Sequence, residues 1–182
     1  MPKHVALLRG INVGGKNKLP MRELAAMFTA AGCTDVTTYI QSGNVVFSAS
    51  PAVAKTVAAF VVKRIEKDHG LRVPVLLRSA VELERVMREN PFLAAGAAPD
   101  KLHVMFLADA PKRAAVSALD ANRSPPDAFE VVGREVYLHC PEGFGRTKLT
   151  NAYFDAKLAT TSTVRNWRTV LTLGEMVRVR ST

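Results

Sequence analysis

The chain has 182 residues, 48% of them hydrophobic and 23% charged, and its 25 Lys and Arg against 16 Asp and Glu give a formal charge of +9. That length and hydrophobicity suit one large domain or two small ones with an apolar core, and they exclude a disordered chain. Only Cys33 and Cys140 are present, which excludes a disulfide scaffold, and apolar runs such as Val5–Leu8 and Ala58–Val62 are far too short to span a bilayer.

In chain order, Lys3–Gly10 reads as a strand with a Val-Ala-Leu-Leu centre. Pro20 suits the first turn of a helix, and Met21, Leu24, Ala25 and Phe28 follow at helical spacing until Gly32. Val36–Ile40 and Val45–Ser48 are β-prone runs around a Ser42–Gly43–Asn44 hairpin turn. Ser50 and Pro51 open a second helix whose apolar face is Val53, Val57, Phe60, Val61 and Ile65, with Gly70 as its stop. Arg72–Arg78 is strand-like again, so the order is β-α-β-β-α-β, that of a ferredoxin-like α-β plait.

A bridging helix then opens on a capping box, Ser79 with Glu82, and stops at Asn90–Pro91 before a linker over Ala94–Asp100. The pattern recurs with a strand at His103–Ala108, a short helix at Pro111–Asp120, strands at Phe129–Val132 and Glu135–His139 joined at Gly133–Arg134, and a helix from Thr147 to Leu158. Two runs compete for the next strand, Ala159–Thr163 and Val177–Arg180. A last helix is expected from Val164, with Val164, Trp167, Val170 and Leu171 on one side and Arg165 and Arg168 on another. The expected fold is α+β. It has two tandem plait subdomains, 1–78 and 101–182, joined by a bridge over 79–100; the second is imperfect and carries a C-terminal helix.

The charge is concentrated at the two ends. Residues 1–22 hold Lys3, Arg9, Lys16, Lys18 and Arg22 and no acid, a net +5. Residues 143–182 also sum to +5, through Arg146, Lys148, Lys157, Arg165, Arg168, Arg178 and Arg180 against Asp155 and Glu175, whereas 23–142 sums to −1. Brought together, these ends would make a patch for an anionic partner; left apart, they are solvated cations that aid solubility.

Gly10-Ile-Asn-Val-Gly-Gly-Lys-Asn17 almost matches the phosphate-binding pattern G-x-x-x-x-G-K-[ST], with Asn17 in place of the magnesium-binding hydroxyl. The hairpins expected at Gly43 and Gly133 imply antiparallel sheets, whereas P-loop proteins need a parallel one. The weaker reading is a glycine-rich strand-to-helix loop that presents Lys16 and Lys18 to an anion near a helix N-terminus.

Two strings, Ala6-Leu-Leu-Arg-Gly-Ile-Asn-Val-Gly-Gly15 and Tyr39-Ile-Gln-Ser-Gly-Asn-Val-Val-Phe47, resemble a widespread bacterial domain-of-unknown-function family whose members open with ALLRGINVGG. The resemblance continues through Asn90-Pro-Phe92, Lys101–Leu107, Tyr137–Leu149 and Arg165-Asn-Trp-Arg-Thr-Val170, so it covers essentially the whole chain. It implies two α-β plait subdomains and carries no catalytic residue with it. Thr160–Val164 departs from the Ala-Thr-Thr run that family members place before Arg-Asn-Trp.

His4, His69, His103 and His139 are scattered, and no Cys–His spacing fits a metal site, so no metal is expected. His139 and Cys140 are strand neighbours that point to opposite faces, which makes Cys140 a structural residue; Cys33 reads as a surface or packing residue. Aromatic residues are 7% of the chain, and of the expected central strands only Ser42–Phe47 offers a ring, Phe47. Base stacking of the kind RNA-recognition plaits use is therefore disfavoured relative to phosphate contacts.

Polar residues at strand ends remain: Arg9, Asn12, Gly14, Gly15 and Lys16 after the first strand, Gln41, Ser42 and Asn44 at the hairpin turn, Arg146 and Lys148 near Gly143–Phe144–Gly145, and Arg165 and Asn166 at the start of the last helix. Asn and Ser at such places are also ordinary turn and capping residues. Met1–Pro2–Lys3–His4 leads directly into a strand with no signal-peptide h-region, so a soluble cytoplasmic protein is expected. The expected function is binding of a small phosphate- or carboxylate-bearing ligand in a basic groove formed by both chain ends. The alternative is a nucleic-acid-binding accessory protein that uses backbone phosphate contacts. No membrane partner is expected, and the sequence implies no cofactor, no catalytic residue and no oligomeric state.

Overall fold

The computed structural model describes residues 1–178, and each plait pattern closes into its own four-stranded antiparallel sheet. The first contains β1 (Lys3–Leu8), α1 (Met21–Ala30), β2 (Thr34–Tyr39), β3 (Asn44–Ser48), α2 (Pro51–His69) and β4 (Val75–Ser79), in the strand order β2-β3-β1-β4. The period of two along a strand sends Ala6, Leu8, Val45 and Phe47 to the helical side. There they meet Leu24 and Phe28 of α1 and Val57, Val61 and Ile65 of α2. Val5, Leu7 and Val46, on the opposite side, are also buried.

The ends of α2 follow from local chemistry. The Ser50 Oγ accepts a hydrogen bond from the Val53 N–H at 3.3 Å, Pro51 occupies the first position, and Gly70 takes the left-handed C-cap. Phe60 departs from the expected apolar face and is 38% exposed, because the 100° rotation per residue carries it off the stripe of Val57, Val61 and Ile65. The bridge begins as α3 (Ala80–Arg88) with the expected reciprocal cap: the Ser79 N–H donates to Glu82 at 2.8 Å and the Glu82 N–H to Ser79 at 3.2 Å. Asn90 then opens the short α4 (Pro91–Ala94), its Oδ1 accepting from the Phe92 and Leu93 amides.

The second sheet contains β5 (Leu102–Leu107), α5 (Arg113–Ser117), β6 (Ala128–Val132), β7 (Glu135–His139), α6 (Asn151–Leu158) and β8 (Ser162–Asn166), in the order β6-β7-β5-β8, followed by α7 (Trp167–Val177). It is a reduced copy, since α5 has five residues where α1 has ten. Met105, Leu107, Val136 and Leu138 pack on Phe154 and Leu158 of α6 to make its core. The registers coincide: Val5 pairs with Arg78 and Val104 with Arg165, while His4 pairs with Ser79 and His103 with Asn166. Each fourth strand thus ends on the residue that caps the next helix. In the second copy the Thr169 N–H donates to Asn166 Oδ1 at 2.8 Å.

Several boundaries differ from the sequence pattern. Arg165 and Asn166 lie in β8, not in the last helix, because pairing with β5 holds the β-branched run Thr163–Val164 and its neighbours extended. The competing Val177–Arg180 does not supply the strand: Val177 closes α7, and residues 179–182 lie outside the described residues. Helix α6 begins at Asn151 instead of Thr147, since Thr150 takes the cap and accepts from the Tyr153 N–H at 3.2 Å. Strand β4 begins at Val75, after Pro74, and Leu171 is 42% exposed. One compact unit comprises 1–84 with the end of α7 from Thr172, and the other comprises 85–171. Among the described residues no helix is long and apolar enough to cross a membrane.

Candidate functional site

In the first unit, the glycine-rich string between β1 and α1 folds on itself. The Lys16 N–H donates to the Val13 carbonyl at 3.0 Å, with Gly14 and Gly15 at φ +57 and +73 forming the tip. Positive φ at both central residues is the requirement of a tight hairpin turn, which glycine meets without strain. The Asn12 N–H donates to the Asn17 carbonyl at 3.1 Å, and the Asn17 side chain donates to the Gly10 carbonyl at 2.9 Å. Two amides that a phosphate-wrapping loop would offer outward are therefore used inside the turn. Together with the antiparallel sheets, this removes the P-loop reading.

Asn12 is the brace of this loop. At φ +54, a conformation asparagine tolerates, its Oδ1 accepts from the Leu19 N–H, while its Nδ2 donates to the Leu19 and Gln41 carbonyls, all at 2.8 Å. The β2–β3 turn is anchored in the same way. Asn44 is fully buried and donates to the Tyr39 carbonyl and the Ser42 hydroxyl, each at 3.1 Å. The Leu8 N–H donates to the Gly43 carbonyl at 2.8 Å. A Cβ on Gly43 would stand 2.7 Å from Leu8 Cβ, so only glycine fits this approach.

Between the loop, this turn and the start of α1 lies a hollow of about 530 Å³ lined by Asn12, Gly15, Lys18, Leu19, Pro20, Met21, Arg22 and Gln41. Helix α1 begins after Pro20 with no side-chain cap, which leaves its first amides available. Lys16, Lys18 and Arg22 have no acidic partner among the described residues. Of the residues singled out in this half, Asn12, Gly15 and Gln41 line the hollow, Gly14 and Lys16 sit on the adjoining turn, and Asn44 is buried scaffold. Lys18, expected to face an anion from this loop, and Arg22, expected only as part of the basic count, line it too. Their signal was present in the basic count of residues 1–22 and in their positions astride the helix start.

In the second unit, Arg146 borders a polar hollow of about 350 Å³ with Ser124, Asp127, Glu142 and Thr147. Ser124 ties this region, donating to Asp127 at 2.9 Å and accepting from the Lys148 N–H at 3.0 Å. Buried Cys140 belongs to the same network. Its thiol is pushed up to about 11, first by burial and then by the Asp127 charge, which favours the protonated thiol over the thiolate. Cys33 is likewise buried.

Asn166 lines a separate, largely apolar hollow of about 510 Å³ with His103, Leu102, Trp167 and Leu171. His103 stacks on Phe144 with centroids 4.3 Å apart, and burial lowers its pKa, which favours the neutral ring. Trp167 is 2% exposed. Arg165 is buried in β8, donating to the Thr163 hydroxyl at 2.7 Å and to the Val164 carbonyl at 2.9 Å, and burial pulls it down to about 10. Among the described residues no three His, Cys, Asp or Glu side chains gather as metal ligands would.

A family model described as a protein of unknown function (DUF1697) matches residues 1–137. A solved structure, that of the conserved bacterial protein SP0830 from Streptococcus pneumoniae, is similar at a TM-score of 0.74 and 22% identity, over 97% of this chain and 99% of that one. Among curated proteins none matches this chain.

Proposed function

Because the chain belongs to this DUF1697 family of proteins of unknown function, we propose from its own chemistry that it binds a small phosphate- or carboxylate-bearing ligand, at the hollow between the glycine-rich loop and α1. The observation that carries the reading is the pairing of two cations, Lys18 and Arg22, with a concave surface where neither makes an ion pair among the described residues, since Glu23, the acid in the first turn of α1, lies 2.9 Å from His69. A cluster of unpaired cations raises the local potential and attracts an anion, and the uncapped first amides of α1 add fixed partial positive charge on the same side. Arg22 can offer a planar fork of donors and Lys18 a mobile point charge, which together suit an oxyanion.

Calorimetric titration with inorganic phosphate tests the reading. Replacing Lys18 and Arg22 together by Ala should weaken binding by about tenfold or more, an effect of about 1.4 kcal/mol. The melting temperature should hold, since both side chains are exposed. Binding at one anion site should weaken shallowly with salt, whereas a nucleic-acid binder that contacts many phosphates weakens steeply. An unchanged phosphate affinity in the double variant would sink the assignment.

A further inference from the structure

We infer that the largely apolar hollow at the start of α7 binds an uncharged small molecule that joins an apolar body to a carbonyl oxygen, held by two N–H donors, Asn166 Nδ2 and His103 Nε2. The inference is independent of the anion-binding reading.

The donor pair follows from the sheet register. His103 and Asn166 stand directly opposite each other on β5 and β8, so their side chains share one face, with Cβ atoms about 4.5–5.5 Å apart. Both line the hollow. The Asn166 Oδ1 accepts the Thr169 N–H at 2.8 Å, which only the oxygen of the amide can do, so the other end is the NH2. That NH2 has no acceptor among the described residues. Capping does not call for it. In the first copy the hydroxyl of Ser79, at the equivalent position, accepts the Glu82 N–H and does the same work.

His103 supplies the second donor. Its ring stacks on Phe144, and its Nδ1 is buried with no hydrogen-bond partner, which leaves Nε2 as the nitrogen that meets solvent or a ligand. A proton on Nδ1 would be a buried donor without an acceptor, so the neutral ring carries it on Nε2. Burial favours that neutral ring.

The rest of the lining limits what this pair can hold. Pro99, Leu102, Trp167 and Leu171 are apolar, and a volume of about 510 Å³ is that of an ordinary small-molecule site. Asp100 and Arg168 bring one charge of each sign, so neither an anion nor a cation finds a net opposite charge there. A carbonyl oxygen has two lone pairs and no formal charge, which matches two adjacent neutral donors.

NMR titration of the full chain with benzamide, benzoate, benzylamine and toluene separates the parts, read at the Asn166 side-chain NH2 and the Leu171 methyl groups. Benzamide should bind with a Kd of about 1 mM, as suits so small a molecule, and about tenfold tighter than the other three. His103→Phe keeps a ring against Phe144 and loses Nε2, while Asn166→Asp keeps the capping oxygen and loses the NH2. Each should weaken benzamide about threefold or more and leave toluene unchanged. Asn166→Ser, which copies the cap of the first plait, serves in place of Asn166→Asp if that variant melts early. Benzoate, benzylamine or toluene binding as tightly as benzamide would overturn the inference. So would benzamide affinity that survives the variants, or benzamide that shifts neither Asn166 nor Leu171.

Discussion

Replacing Asn12 by Ala tests whether this residue braces the loop or serves the ligand directly. Three hydrogen bonds at 2.8 Å are lost, two to the backbone of Leu19 and one to the Gln41 carbonyl. At a net worth of about 0.5–1.5 kcal/mol each, with the exposed Gln41 bond at the low end, they amount to about 2 kcal/mol. Alanine must also adopt φ +54, at a further cost of about 1 kcal/mol. A loss of about 3 kcal/mol in a chain of this length should lower the melting temperature by about 6–12 °C. Circular dichroism against temperature measures the global effect. Amide hydrogen exchange measures the local one, since the Leu19 N–H loses its acceptor on the Asn12 side chain. Asn12→Gly separates the contributions, because glycine enters the left-handed region freely and should retain about 1 kcal/mol more than alanine. Phosphate affinity should fall with the brace, as Leu19 and Gln41 line the hollow. A melting temperature within about 2 °C of the parent, with Leu19 protection unchanged, would refute the bracing argument and return Asn12 to the ligand contacts.

Gly43→Ala should cost about 2–4 kcal/mol, from a left-handed φ of +88 and from a Cβ placed 2.7 Å from Leu8 Cβ and 3.2 Å from Ile11. A urea midpoint equal to the parent's would show that the turn relaxes without strain. His103 gives an acid-side dependence: its folded pKa lies below the ordinary 6.5 because burial disfavours the imidazolium, so the unfolded chain binds the proton more readily. Stability from this residue is therefore fully present above about pH 6.5 and lost as pH falls towards the lowered value. The melting temperature of His103→Leu should decline less steeply between pH 7.5 and 5 than that of the parent, and parallel slopes would contradict the linkage.

The two plaits were legible in the sequence wherever the signal is local. Ser50–Pro51 with Gly70, the Ser79–Glu82 box, and the alternating Val-Ala-Leu-Leu run are determined by capping chemistry and by the two-residue period. These properties act within a few residues and need no partner. The same holds for the basic count in residues 1–22 and for the turn at Gly43, though not for the reason that Gly43 must be glycine, which is the approach of Leu8. What only the tertiary structure decided is long-range pairing. Arg165 and Asn166 carry a pattern that fits a helix start, but hydrogen-bonding to β5 makes them strand, and a ladder contributes more than the propensity of two residues. The hollow is of the same kind. Lys18, Arg22 and Gln41 are separated in sequence, and it is Asn12, bonded to Leu19 and to Gln41, that holds the two segments around one hollow.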